Sequence, residues 1–321
     1  MRALVTGGAG FIGSALVDRL LAEGHSVDAV DDLSSGSLAN LGEARADPVF
    51  DFHFHRLDIR RPELVDLVVR RAPEVVFHLA APPARRSGRA DPRADADQHI
   101  LGSLNVMEAA VAAGATKVVF ASGAAIYGAV EPEELPIRET HPQRPRSFAG
   151  VAKRAVGDYL EAYRVHHELE FTSLALAHVY GPRQDPALGD GVVAVMAARL
   201  VAGLPSTIHG SGRHSRDFVY VDDAVDALAR AIGRGGGLLL NVGTGVATAI
   251  EDLYATVARA AGSDHPAAFG PARAGEVDHV ALDPGRAAIH LGWRPWTSLA
   301  AGVASTVDWL SGPSYRNRSS S

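Results

Sequence analysis

Short apolar runs alternate with amphipathic stretches through the first half of the chain. The run at 2–7 (RALVTG) predicts a strand, 11–24 (FIGSALVDRLLAEG) a helix and 25–32 (HSVDAVDD) a second strand. The alternation continues with a strand over 74–80 (EVVFHLA), a helix around 93–114 and a strand over 117–123 (KVVFASG). Strands alternating with helices predict βαβ units. The expected fold class is therefore α/β, a Rossmann-type doubly wound parallel sheet covered on both faces. Past about residue 180 the pattern loosens. Helices are predicted at 192–203 and 222–233, with short strands near IHG (208–210) and RDFVYV (216–221). The expected division is 1–180 for the sheet domain and 181–321 for a smaller C-terminal α/β substrate domain, with the chain partly crossing back to the first. The tail SGPSYRNRSSS is polar and serine-rich, and is expected to fray.

Between the first strand and the first helix lies VTGGAGFIGSAL, with glycines at 7, 10 and 13. In a dinucleotide-binding turn Gly7 permits the tight bend, Gly10 lets the backbone approach a pyrophosphate, and Gly13 lets the helix pack against the strand. The helix then aims its free N–H groups at the phosphates. The second strand ends in Asp31 and Asp32, roughly 20 residues on, where an acid holds the adenosine ribose hydroxyls and repels a 2′-phosphate. NAD is the expected cofactor.

Composition narrows the class without changing it. The chain has 321 residues, 47% hydrophobic and 21% charged, with a net charge of -6, which speaks against a nucleic-acid surface. It has no cysteine, which excludes disulfides, thiol nucleophiles and cysteine-ligated metal centres. No apolar run approaches the ~18 residues of a membrane span. Residue 1 leads straight into RALVTGG, so no leader is expected, and the cytoplasm is the expected location. The pairs His53/His55 and His166/His167 have no evident carboxylate partner, and no metal is expected.

Further motifs follow in order: LDI (57–59), HLAA (78–81), ASGAAIYG (121–128), a lysine at Lys153, AHVYGPRQ (177–184), RDFVYVDDAVDAL (216–228), NVGTG (241–245) and ARAGEVDHVALDPGRAAIHLGW (272–293). Together with the glycine turn they resemble the extended short-chain dehydrogenase/reductases, in particular the nucleotide-sugar epimerases and dehydratases, over nearly the whole chain. The resemblance implies that Gly7, Gly10, Phe11, Ile12 and Gly13 cradle NAD, with Asp31 and Asp32 at the ribose. Asp58 and Ile59 would lie beside adenine, Leu79, Ala80 and Ala81 along the pyrophosphate, and Lys153 at the nicotinamide ribose. It also implies a UDP-sugar substrate, bound by His178 and by Arg216 and Arg273 as a diphosphate clamp, and a homo-oligomer. Val280 matches the family's sugar-size gate, and its small side chain implies room for an N-acetyl group, as in UDP-N-acetylglucosamine.

The family oxidises a sugar carbon, usually C4, and returns the hydride, so no net redox change occurs. A tyrosine four residues before the lysine takes the hydroxyl proton. Here that position is Ala149, which cannot carry a proton. The usual Ser/Thr position is Gly123, beside Ser122, and Ala124 and Ala125 stand where the 4,6-dehydratases carry an Asp–Glu pair. His99 and His178 replace two familiar asparagines. One reading is a rewired enzyme in which Tyr127, Ser122, His99 or a water relayed by Lys153 replaces the tyrosine. Another is an inactivated variant, and a third is a binder of NAD and sugar nucleotide without turnover. Within the first, the altered site favours net 5,6-dehydration of UDP-N-acetylglucosamine, a reaction used in antibiotic biosynthesis. 4-Epimerisation is the alternative.

Overall fold

The alternating pattern folds as expected in the first half. β1 (Arg2–Thr6) leads into α1 (Phe11–Ala22) and back to β2 (Ser26–Asp31). A short α2 (Gly42–Ala46), β3 (Phe52–Arg56), α3 (Glu63–Arg71) and β4 (Val75–His78) follow. The helix expected near 93–114 is a composite. α4 (Pro92–Ala96) is capped by the Asp91 side chain and passes through a π-helical turn at Asp97–Leu101 into α5 (Gly102–Ala112). β5 (Lys117–Gly123), α6 (Phe148–His167) and β6 (Glu170–Leu176) complete this part. The computed structural model describes residues 1–81, 91–189, 191–272, 277–312 and 315.

Beyond β6 the elements are shorter: β7 (His178–Tyr180), α7 (Val192–Val201), β8 (Thr207–His209), β9 (Ser215–Arg216), β10 (Phe218–Tyr220) and α8 (Val221–Arg230). β11 (Leu238–Val242), β12 (Thr248–Ala249), α9 (Ile250–Ala261), β13 (Ala268–Gly270), α10 (Gly285–His290) and α11 (Leu299–Ser311) close the chain. The apolar run over 216–221 is broken at Asp217, which is buried and accepts from Thr244, Gly245 and Leu282. That knot separates β9, paired with β12, from β10, paired with β7.

One seven-stranded parallel sheet runs β11-β6-β5-β4-β1-β2-β3, a doubly wound Rossmann order. Its edge strand β11 comes from beyond residue 180. One apolar cluster on the sheet includes Leu16, Phe77 and Leu240, and a second includes Leu64, Met107, Val156 and Leu160. Strand order reverses between β1 and β4, and in such sheets ligands bind beyond the strand carboxyl ends at that point.

Helix α6 carries the residue of greatest interest and its placement is set locally. Ser147 caps it by accepting from the Gly150 N–H at 3.1 Å, and Gly150, Ala152, Val156 and Leu160 form its buried face. A Cβ at Gly150 would lie 2.5 Å from the Ala125 carbonyl oxygen, so only glycine lets the helix press this closely on the turn after β5. Ala149 and Lys153 are thereby brought beside the carboxyl end of that strand.

Candidate active site

A cavity of about 590 Å³ opens at the carboxyl ends of β1, β4 and β5 and is lined at one end by Gly7, Gly10, Phe11, Ile12 and Gly13. A Cβ at Gly13 would sit 2.0 Å from the Gly7 carbonyl oxygen, so the turn closes only with glycine there. The concave backbone and the bare N-terminus of α1 fit a pyrophosphate. Asp31 and Asp32 also line the cavity but differ in state. Asp31 is buried, accepts from the Ala9 and Leu33 N–H groups, and is pushed up in pKa chiefly by that burial. Asp32 is exposed and accepts from Ser34. Asp31 thus braces the glycine turn, and Asp32 presents its carboxylate at the rim.

Asp58 and Ile59 lie on the adjoining wall. Asp58 is held below the usual carboxylate range by the Arg60 guanidinium, which also reaches Asp97 at 2.8 Å. Leu79, Ala80 and Ala81 line the floor where β4 ends. The residues expected to hold NAD, Lys153 included, share one continuous surface, and their chemistry fits the cofactor.

At the inner end the lining changes character. Ala121, Ser122, Gly123, Ala124, Ala125 and Ala149 surround Lys153. A Cβ at Gly123 would lie 3.4 Å from the Lys153 Nζ, so no side chain intervenes there. Nζ donates to the carbonyl oxygens of Ala121 and Ser122, each at 3.4 Å. Burial alone pulls the amine down to about 8, with no carboxylate among the described residues offsetting it. Position 149 contributes only a methyl group to this lining.

Three buried polar atoms lack a hydrogen-bond partner among the described residues in this quarter: Ser122 Oγ, His99 Nε2 and Asp95 Oδ1. His99 lines the cavity and Asp95 lies 3.7 Å behind it, one helical turn earlier. Burial, reinforced by the Lys153 charge, pulls His99 down to about 4, so its ring is neutral at pH 7. Behind the pair, His78 bridges Thr6 Oγ1 and Ser103 Oγ at 2.8 Å each, and Ser103 donates to the His99 carbonyl. Asp95 went unread in the sequence, where its only signal is a spacing of four before His99 on a predicted helix.

Several expectations are corrected by the structure. Tyr127 is fully buried outside the cavity, and its hydroxyl donates to Asn241 Oδ1 at 2.7 Å. Burial and then Glu139 drive its phenol far up, so it packs the core and holds its proton. Val280 is buried and lies off the described lining of the cavity. Arg216 also lies off the lining, with Nη1 donating to the Ser215 and Asp278 carbonyls. His178 does line the cavity, edge-on to Phe218 at 6.1 Å. Arg273 lies outside the described residues. Gln184, Asp185, Leu188 and Val192 form a wall that sequence reading did not single out.

Comparison with known proteins gives the same family from three directions. The model of the NAD dependent epimerase/dehydratase family matches residues 3–243. A UDP-glucose 4-epimerase of Mycolicibacterium smegmatis is 44% identical over 99% of this chain and 100% of its own length. The crystal structure of a UDP-glucose 4-epimerase from Thermotoga maritima with UDP-glucose superposes with a TM-score of 0.91 at 38% identity, covering 100% of both chains. A dTDP-glucose 4,6-dehydratase from Streptomyces venezuelae, solved with NAD, has a TM-score of 0.88 at 28% identity over 100% of this chain and 98% of its own.

Proposed function

The chain belongs to the NAD-dependent epimerase/dehydratase family, and from that premise we propose that it interconverts the C4 epimers of a UDP-hexose, UDP-glucose and UDP-galactose being the pair. NAD, which the glycine turn, Asp32 and Lys153 would hold, would supply a reversible hydride acceptor for the sugar carbon. The observation that carries the reading is the cavity lined both by the glycine turn and by Lys153, with only the Ala149 methyl group where the family places its tyrosine. A sugar reaching the cofactor from the side of His178 meets Lys153, Ser122 and His99 at that inner end, and its hydroxyl proton has to pass to one of them.

Lys153 does two things. It presents donors for ribose hydroxyls, and as an ammonium group it stabilises negative charge developing on the sugar oxygen in a site shielded from water. Ser122 Oγ, without a partner among the described residues, offers the substrate hydroxyl a hydrogen bond. The glycine turn, Asp32 and the wall at Asp58–Ile59 fix the adenosine half and therefore the depth at which the sugar reacts.

Net 5,6-dehydration fits these residues less well. It needs one group to remove the C5 proton and another to protonate the departing C6 oxygen, and positions 124 and 125 offer only methyl groups. The case for an N-acetyl substituent rested on Val280, which lies off the cavity. Proton NMR of UDP-glucose and of UDP-N-acetylglucosamine incubated with the protein tests the reading. UDP-galactose signals support it. Vinyl signals from the N-acetyl sugar would restore the elimination, and unchanged spectra with NAD still bound would favour a binder without turnover. Restoring the phenol with Ala149→Tyr is expected to raise the epimerisation rate.

A further inference from the structure

Resting on the epimerase reading, we propose that Asp95 and His99 supply the base that position 149 no longer holds, His99 taking the proton of the sugar hydroxyl and Asp95 holding the ring. Buried polar groups are paired in the large majority of cases, and exceptions call for a reason. Here Asp95, His99 and Ser122 are 3%, 6% and 2% exposed, and each leaves an atom without a partner among the described residues. His99 lies on the cavity wall that Lys153 also lines. The 3.7 Å between Nε2 and Oδ1 is wider than a hydrogen bond, as such contacts often are before a ligand closes them.

The backbone supports the same assignment. His99 sits within the π-helical turn Asp97–Leu101, a rare interruption that concentrates at functional sites. Its carbonyl is anchored by Ser103, itself fixed through His78 to Thr6 at the end of β1. The ring's place is therefore set by the sheet as well as by its own helix. Lys153 suits the role less, because Nζ already donates to two carbonyls and serves best as a charge. His178, another imidazole of the cavity, stacks edge-on against Phe218.

With Nε2–H directed at the Asp95 carboxylate, Nδ1 is left as the basic nitrogen. The O–H bond of the sugar breaks and its proton goes to that nitrogen. The electron pair left on oxygen forms the second C–O bond as the hydride departs from the same carbon to the nicotinamide. Return of hydride to the opposite face takes the proton back to oxygen, and nothing is consumed. Among the described residues, the charged and titratable groups around His99 are Lys153 from α6, His78 from β4, Asp95 from α4, and Asp97 paired with Arg60.

The test combines kinetics with histidine NMR on the NAD-loaded protein. His99→Asn is expected to lower kcat by about 100-fold or more with KM and bound NAD retained, the size of a lost general base. Asp95→Asn is expected to cut kcat less and to move the low-pH limb of the rate profile. In nitrogen-15 spectra of the wild type, the His99 ring is expected as the Nε2–H tautomer, and Asp95→Asn is expected to lose that preference. A wild type that epimerises UDP-glucose while His99→Asn keeps its kcat overturns the pair and leaves the epimerase reading standing. An Nδ1–H ring in the wild type overturns the role of Asp95 whatever the turnover. A wild type with no epimerase activity overturns the reading on which the pair rests.

Discussion

The two ends of one cavity obey different rules. At the cofactor end, the motif residues line one continuous surface, from the glycine turn to the strand end at Leu79–Ala81. At the reaction end the family's tyrosine is gone, and the polar groups that remain come from three separate segments: α6, the end of β5 and the π-helical turn. Holding a dinucleotide depends on backbone shape, where a Cβ at Gly13 would meet another backbone atom at 2.0 Å. Such a position has no substitute. Moving a proton needs only one basic atom within reach, so that duty can migrate to another helix while the fold stays the same.

Gly13→Val is expected to abolish NAD retention, read as cofactor released from acid-denatured protein, because no rotamer relieves a backbone clash. At the other end Lys153→Met is expected to lower kcat by about 100-fold, within the range for lost charge stabilisation in an active site. More bound NAD in the glycine variant than in the lysine variant would reverse the contrast between the two ends.

The pH profile sharpens it further. Lys153 carries its charge below about 8 and loses it as pH rises through that value, so kcat is expected to fall on the alkaline side. His99 is neutral above about 4 and gains a proton below it, so the rate is expected to fall as pH drops through that value. A rate that instead climbs through about 8 would make the lysine amine the base.

The smallest effect is expected at Tyr127. Tyr127→Phe leaves the buried Asn241 acceptor without its donor, a loss of about 1–2 kcal/mol in a denaturant titration, with turnover unchanged. A collapse in turnover with stability intact would put the phenol back in the chemistry.

What could be read beforehand follows the same division. The parallel sheet, the glycine turn and Lys153 were legible because each is a local pattern with a local cause. Tyr127 was misleading because its partner, Asn241, lies 114 residues away and only the folded core brings them together. Val280 and Arg216 were assigned by motif position, while the β9–β12 pairing and the contacts to Ser215 and Asp278 decide where they lie. Asp95 gave almost no signal, since a carboxylate four residues before a histidine is common on solvent-facing helices. Its burial beside the cavity is a tertiary fact.

On the epimerase reading, C4 is oxidised and re-reduced without the family's tyrosine. Turnover of UDP-glucose carrying deuterium at C4 tests it most directly. The account predicts UDP-galactose that keeps the deuterium at C4, formed more slowly than from unlabelled sugar. Product that has lost the label, or labelled substrate recovered unchanged from NAD-loaded protein, would contradict it.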